Sequence, residues 1–137
     1  MPVDLSSIYT TLRADEGERL SPYRCTEGFL TVGVGHNLDA KPISKRASQV
    51  ILEDDVADVL AELDRALPWW RGLPARRGEA LVYMGFQLGV PGLVKFRKML
   101  AALQAGDGVE AQKQALDSRW ADQTPARARR IAAMLKE

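Results

Sequence analysis

Three polar side chains stand out for the chemistry they carry: Glu16, Cys25 and Thr31. A glutamic acid gives or takes a proton. A thiol, with a free pKa of roughly 8.5, is mostly neutral at pH 7, a weak acceptor in that form and a good nucleophile once ionised. A threonine hydroxyl both donates and accepts hydrogen bonds. Glu16 lies in Asp15-Glu16-Gly17, Cys25 in Cys25-Thr26-Glu27-Gly28, and Thr31 opens Thr31-Val32-Gly33-Val34-Gly35-His36. His36 is the only histidine and Cys25 the only cysteine, so a zinc-type cluster is not expected and no cofactor is implied. A lone cysteine also leaves no internal disulfide.

Local sequence rules indicate the elements that position these groups. Leu5, Ile8, Tyr9 and Leu12 recur at helical spacing behind Asp4, a suitable N-cap, and Gly17 is a natural stop. Glu16 then falls at a helix-to-strand junction. Tyr23 to Cys25 and Phe29 to Val34 read as two strands around the Thr26-Glu27-Gly28 turn, which puts Cys25 and Thr31 on neighbouring strands of one hairpin. Gly33 and Gly35 leave room for backbone or ligand to come close. His36-Asn37-Leu38-Asp39 is expected to lead into a loop. Ser44 caps a long helix whose stripe is Leu52, Val56, Val59, Leu63 and Leu67, and Pro68 stops it. Further helices are expected behind Pro74, around Phe96 to Leu103 with Gly106 as terminator, from Val109 to Leu116, and from Thr124-Pro125 to about Leu135. The expected fold is α+β and mainly α. A small β-hairpin lobe (residues 17–44) is joined by a connecting helix (45–66) to a helical lobe (1–16 and 67–137), forming one domain over 1–137. The first helix is expected to pack with the C-terminal lobe, because its apolar stripe is too narrow to stand alone.

Composition sets outer bounds. A chain of 137 residues with 46% hydrophobic residues sustains one core, and a net charge of +1 singles out no polyanionic partner. Arg119, Arg127, Arg129, Arg130 and Lys136 make the C-terminal region basic, but no base-reading motif accompanies them, so nucleic-acid binding is not expected. No stretch reaches the ~18 apolar residues of a membrane span, and Met1 to Thr11 has neither the basic start nor the apolar run of a signal peptide. A monomer made in the cytoplasm, without stable membrane insertion, is expected.

Glu16, eight residues, Cys25, five residues, Thr31 resembles the signature of the phage lysozyme (endolysin) family of the T-even type: Glu, eight residues, Asp or sometimes Cys, five residues, Thr. Asp15-Glu16-Gly17, Thr31 to His36, Phe86-Gln87-Leu88-Gly89, Ser118-Arg119-Trp120 and Gln123-Thr124-Pro125 resemble the family's segments in the same order, with Arg127 and Arg130 at matching positions. Two departures stand out. The stretch from Asn37 to Ile43 is shorter than in T-even members, and the C-terminal extension of those members is not expected after Leu135.

The resemblance implies a lysozyme-like fold and a muramidase. Such an enzyme cuts the β-1,4 bond between N-acetylmuramic acid and N-acetylglucosamine in peptidoglycan, for host lysis, after another protein permeabilises the membrane and gives access to the periplasmic wall. Glycoside cleavage needs an acid for the leaving oxygen and a second group on the opposite face of the sugar. Glu16 is the expected acid. The resemblance places Arg127 beside it; burial raises a carboxyl pKa and an arginine lowers it, so the two oppose each other there. Cys25 stands where many relatives have aspartate, which leaves two routes open. One is inversion through a water held mainly by Thr31; the other is retention through a thioglycosyl intermediate. Inversion is preferred, since the resemblance implies an inverting family. Gly35, Phe86, Gln87, Arg119, Thr124 and Arg127 are the expected substrate contacts, although Phe86 serves a core equally well. The resemblance also suggests a His36–Asp55 ion pair. Two rival readings are a wall-binding module in which Cys25 has ended catalysis, and a lytic transglycosylase.

Overall fold

The computed structural model describes residues 2–137. Its first helix, α1 (Leu5–Glu16), begins as the sequence implies: the Asp4 carboxylate accepts from the Ser7 N–H at 3.2 Å. It ends at Gly17, whose φ of 75° only glycine adopts readily, and whose N–H bonds back to the Arg13 carbonyl. Leu5, Ile8, Tyr9 and Leu12 form the anticipated stripe, and all four are exposed.

Three antiparallel strands follow in the order β1 (Arg19–Arg24), β2 (Leu30–Gly33), β3 (His36–Asn37). Tyr23 pairs with Thr31 and Arg24 with Leu30, but Arg19 pairs with Gly33. Four steps along β1 therefore match two along β2, a bulged stretch that contains Pro22. Proline has no N–H to give a ladder, and β1 is an edge strand, where that loss is tolerated. The third strand is additional to the expected hairpin: Thr31 pairs with Asn37 and Val32 with His36 before the chain enters the loop. A strand of two residues is too short for alternation to reveal.

Helix α2 (Lys45–Ala66) is capped by Ser44, whose Oγ accepts from the Ala47 N–H at 3.1 Å. Beyond it a 3₁₀ turn (Trp70–Gly72) is pinned to the helix end by Asp64, which accepts from Arg71 Nε at 2.7 Å, Arg71 Nη2 at 3.2 Å and Trp70 Nε1 at 2.8 Å. Six helices complete the chain: α3 (Ala75–Leu88), α4 (Val90–Leu93), α5 (Arg97–Gln104), α6 (Gly108–Leu116), α7 (Arg119–Gln123) and α8 (Pro125–Lys136). Pro74 stands immediately before α3 and Pro125 opens α8, as expected of proline at helix starts. The short α4 and α7 are additional to the sequence reading.

The chain divides into two compact units, with the boundary after Gln49. In the second unit, Val50–Glu137, a continuous core centres on fully buried Leu63, Leu81, Met84, Leu93, Leu103 and Leu135. Each buried leucine contributes about 1.5–3 kcal/mol, so this core holds the helices together. The fold is α+β and mainly helical, as the sequence implies. Among the described residues no helix is long and apolar enough to cross a membrane.

Candidate active site

In the first unit, the end of α1 meets the turn between β2 and β3. Gly33 and Gly35 both take positive φ, 66° and 62°, and so turn the chain between Val32 and His36. Glu16 lies along the second of them. A Cβ built on Gly35 would stand 3.1 Å from Glu16 Oε2 and 3.4 Å from its Cβ and Cγ. The missing side chain of Gly35 is thus the space that the Glu16 side chain occupies. Glu16 itself is exposed, being the last residue of an exposed helix.

Cys25 and Thr31 come together through sheet register. Side chains two apart along a strand share a face, and Thr31 is directly opposite Tyr23, so Cys25 is its diagonal neighbour. The Cys25 N–H bonds to the Phe29 carbonyl at 3.0 Å and the Gly28 N–H to the Cys25 carbonyl at 2.8 Å, which closes the hairpin around the thiol. The half-buried thiol is held below its ordinary value, first by hydrogen bonding from the Glu27 backbone and next from that of Phe29. Desolvation opposes these, the Thr31 hydroxyl assists, and the Glu27 carboxylate opposes. Hydrogen bonding to sulfur lowers an acid's pKa by favouring its charged form. Thr31 is buried, with 3% of its surface exposed, and its Oγ1 donates to the Phe29 carbonyl at 2.8 Å. A threonine has one hydroxyl proton. Here that proton goes to Phe29.

In the second unit, Phe86, Gln87 and Arg127 line one groove of about 640 Å³, together with Tyr83, Arg76 and Arg130. Tyr83 and Arg76 were not anticipated. Tyr83 stands one helical turn before Phe86 and Gln87, so the α3 spacing offered a signal. Gln87 is oriented by Trp120, which is buried and whose Nε1 donates to Gln87 Oε1 at 3.0 Å. Indole nitrogen only donates, so the Gln87 NH₂ group stays available. Arg119 lies apart from this groove, in a neighbouring pocket of about 560 Å³ beside Phe96 and Trp120. Thr124 is committed locally. Its Oγ1 donates to the Trp120 carbonyl at 3.0 Å, and its side chain does not cap α8 although it occupies the N-cap position. His36 Nε2 engages the Lys41 carbonyl at 2.9 Å. Among the described residues no group of three or more His, Cys, Asp or Glu side chains is arranged to hold a metal ion.

The phage lysozyme family model matches residues 13–135. The chain belongs to the phage lysozyme family. That match spans Glu16, Cys25 and Thr31, and it bears out the resemblance read from their spacing. The pre-baseplate central spike protein Gp5 of Enterobacteria phage T4 is 32% identical over 157 residues, covering 94% of this chain and 27% of Gp5. Two probable T4-type lysozymes of Dictyostelium discoideum are 29% and 27% identical, each over 96% of this chain and 95% of the relative. The chain therefore spans about a quarter of Gp5 and nearly the whole of the Dictyostelium proteins. Membership of the phage lysozyme family supports lysozyme activity, that of a glycoside hydrolase.

Proposed function

We propose that the chain is a muramidase that hydrolyses the β-1,4 bond between N-acetylmuramic acid and N-acetylglucosamine in bacterial peptidoglycan, acting as a monomeric endolysin in host lysis. The observation that carries this reading is the seating of Glu16 along Gly35, on the unit that also holds the Cys25–Thr31 pair. Glu16, as the acid, gives its proton to the leaving glycosidic oxygen while water attacks the anomeric carbon from the other face. The proton lost by that water passes to Cys25 in its thiolate form, which ends as a thiol, and Glu16 ends as a carboxylate. Thr31 is the hydroxyl that positions the water in this route. The lowered thiol pKa raises the share of thiolate present, which serves this inverting route and a thioglycosyl route alike. Phe86, Gln87 and Arg127 supply a sugar-binding groove of the second unit in this reading.

Turbidity loss of permeabilised Gram-negative cells, measured with wild type and Glu16→Gln, tests the reading. Wild type should clear the suspension and Glu16→Gln should not; equal clearing removes Glu16 from the chemistry. NMR of the first anomer released separates inversion from retention, and anhydro ends in the products would identify a transglycosylase instead. The likeness to Gp5, named as a baseplate spike protein, favours a second reading of the biological role: the same reaction carried by a phage particle. Detection of the chain in purified particles would decide for it.

A further inference from the structure

The sheet of the first unit contains a carboxylate that the proposed chemistry leaves unused. Asp39 lies just beyond β3, where Asn37 Oδ1 accepts from the backbone N–H groups of Asp39 and Ala40, both at 3.0 Å. So held, Asp39 reaches back across the sheet, and its Oδ2 accepts from the Leu30 N–H at 2.7 Å. The neighbouring ladder bond, from the Leu38 N–H to the Leu30 carbonyl, is 2.8 Å. β3 has only two paired residues, so the carboxylate takes the place of the carbonyl that a longer strand would offer to Leu30. The same Oδ2 is 3.8 Å from Arg24 Nη1, which in turn donates to the Gly28 carbonyl at 3.1 Å. Arg24 and Leu30 are cross-strand partners. One is the residue before Cys25 and the other the residue before Thr31.

We propose that Asp39 is the positioning residue of the Cys25–Thr31 pair: its carboxylate fixes Leu30 at the last rung before the Cys25–Phe29 turn, next to the Phe29 carbonyl that holds both the Cys25 N–H and the Thr31 hydroxyl. The inference rests on the muramidase reading for its catalytic meaning. The Leu30 bond carries most of the effect, because it gives an otherwise unpaired strand N–H an acceptor at 2.7 Å. The Arg24 contact is exposed and contributes little by itself. Without the Leu30 bond, the Cys25–Phe29 turn loses its fixed edge, and the Phe29 carbonyl no longer holds Cys25 and Thr31 in register.

The test uses Asp39→Ala and Asp39→Asn in the full chain, each kept well below its unfolding midpoint. Two quantities are read: the pH dependence of Cys25 alkylation by iodoacetamide, and kcat and KM on purified peptidoglycan. Asp39→Ala should move the alkylation midpoint up towards the free-thiol value of roughly 8.5. It should lower kcat by about tenfold or more with KM little changed, since small misplacements of a reacting group act on kcat. Asp39→Asn should restore both, because its amide oxygen still accepts from Leu30. If the alanine variant does not fold, Asp39→Glu takes its place; it keeps the charge, displaces the oxygen by one methylene, and should shift both readouts in the same direction. Wild-type alkylation and kcat in Asp39→Ala would overturn the proposal, as would a folded Asp39→Asn that behaves like alanine. A wild type that cleaves no peptidoglycan sinks the muramidase reading instead, and the alkylation profile then decides the role of Asp39 alone.

Discussion

The backbone of Gly35 and the side chain of Glu16 share one space: a methyl group on the glycine would lie 3.1 Å from the carboxylate oxygen and 3.4 Å from two of the side-chain carbons. This relationship separates two reasons for a glycine. Gly33 and Gly35 have nearly equal positive φ, yet a Cβ on Gly33 meets nothing within 4 Å. Alanine at either site carries about 1–2 kcal/mol of left-handed backbone strain. Only Gly35→Ala also pushes Glu16 aside. Both variants should lose similar stability in urea unfolding, while Gly35→Ala alone should lose activity about tenfold or more beyond that. Equal activities in the two variants would remove the steric link to Glu16.

Cys25 offers a second separation, between the charge a site prefers and the atom that carries it. The backbone amides of Glu27 and Phe29 favour an anion at that position, and a carboxylate can use the same donors. Cys25→Asp should therefore keep substantial activity, and Cys25→Ala should lose most of it. In the wild type, iodoacetamide should alkylate the thiol at pH 7 faster than it alkylates an unstructured cysteine peptide. The linked stability follows in sign. A depressed folded pKa stabilises the fold above the unfolded value of roughly 8.5, and this contribution is lost as pH falls through the folded value. A Cys25→Ala variant as active as wild type would show the thiol to be idle.

The parts of this protein that were legible in the sequence are those governed by local rules. Asp4 and Ser44 cap helices because their side chains reach N–H groups three residues on, and Gly17 ends α1 because it alone takes that φ cheaply. The spacing of Glu16, Cys25 and Thr31 was legible as a family pattern. Their contacts were not. Glu16 meets Gly35 across 19 residues of chain, and Thr31 is buried with its proton given to Phe29, neither of which periodicity encodes. Thr124 shows the opposite failure: a correct helix start whose hydroxyl turns back to Trp120 instead of capping. β3, α4 and α7 escaped because two to five residues hold too few turns or alternations for a pattern, and α4 contains the turn-like Pro91-Gly92.

Asp64 predicts an acid-sensitive joint at the end of α2. Its carboxyl is held below the usual range, first by Arg71 and then by the indole N–H of Trp70, with burial opposing. A depressed folded pKa means that the stabilisation is complete above the unfolded value of about 3.9 and fades as pH falls through the folded one. In urea midpoints, wild type should exceed Asp64→Ala by a constant margin from about pH 7 to pH 5, and the margin should narrow below about pH 4. A margin that stays flat down to pH 2 would place the effect in packing rather than charge.

Gly108 sets how closely α6 can lie against α8. A Cβ there would come within 2.5 Å of Arg77 Nη2 and 2.7 Å of the Leu135 carbonyl oxygen. The guanidinium is the end of a flexible side chain and can move, although it donates to the Lys136 carbonyl at 3.3 Å and would lose that bond. The Leu135 carbonyl is helix backbone, and Leu135 itself is fully buried in the core. Two effects then compete in Gly108→Ala. Replacing glycine in a helix gains at most about 1 kcal/mol, and less at the first helical position. Overpacking against fixed backbone costs about 1–3 kcal/mol, so the clash should win. Thermal unfolding should show a lower midpoint for Gly108→Ala than for wild type. A raised midpoint would mean that α6 and α8 can part by a few tenths of an ångström without loosening the core, and that the glycine is there for reasons other than close approach.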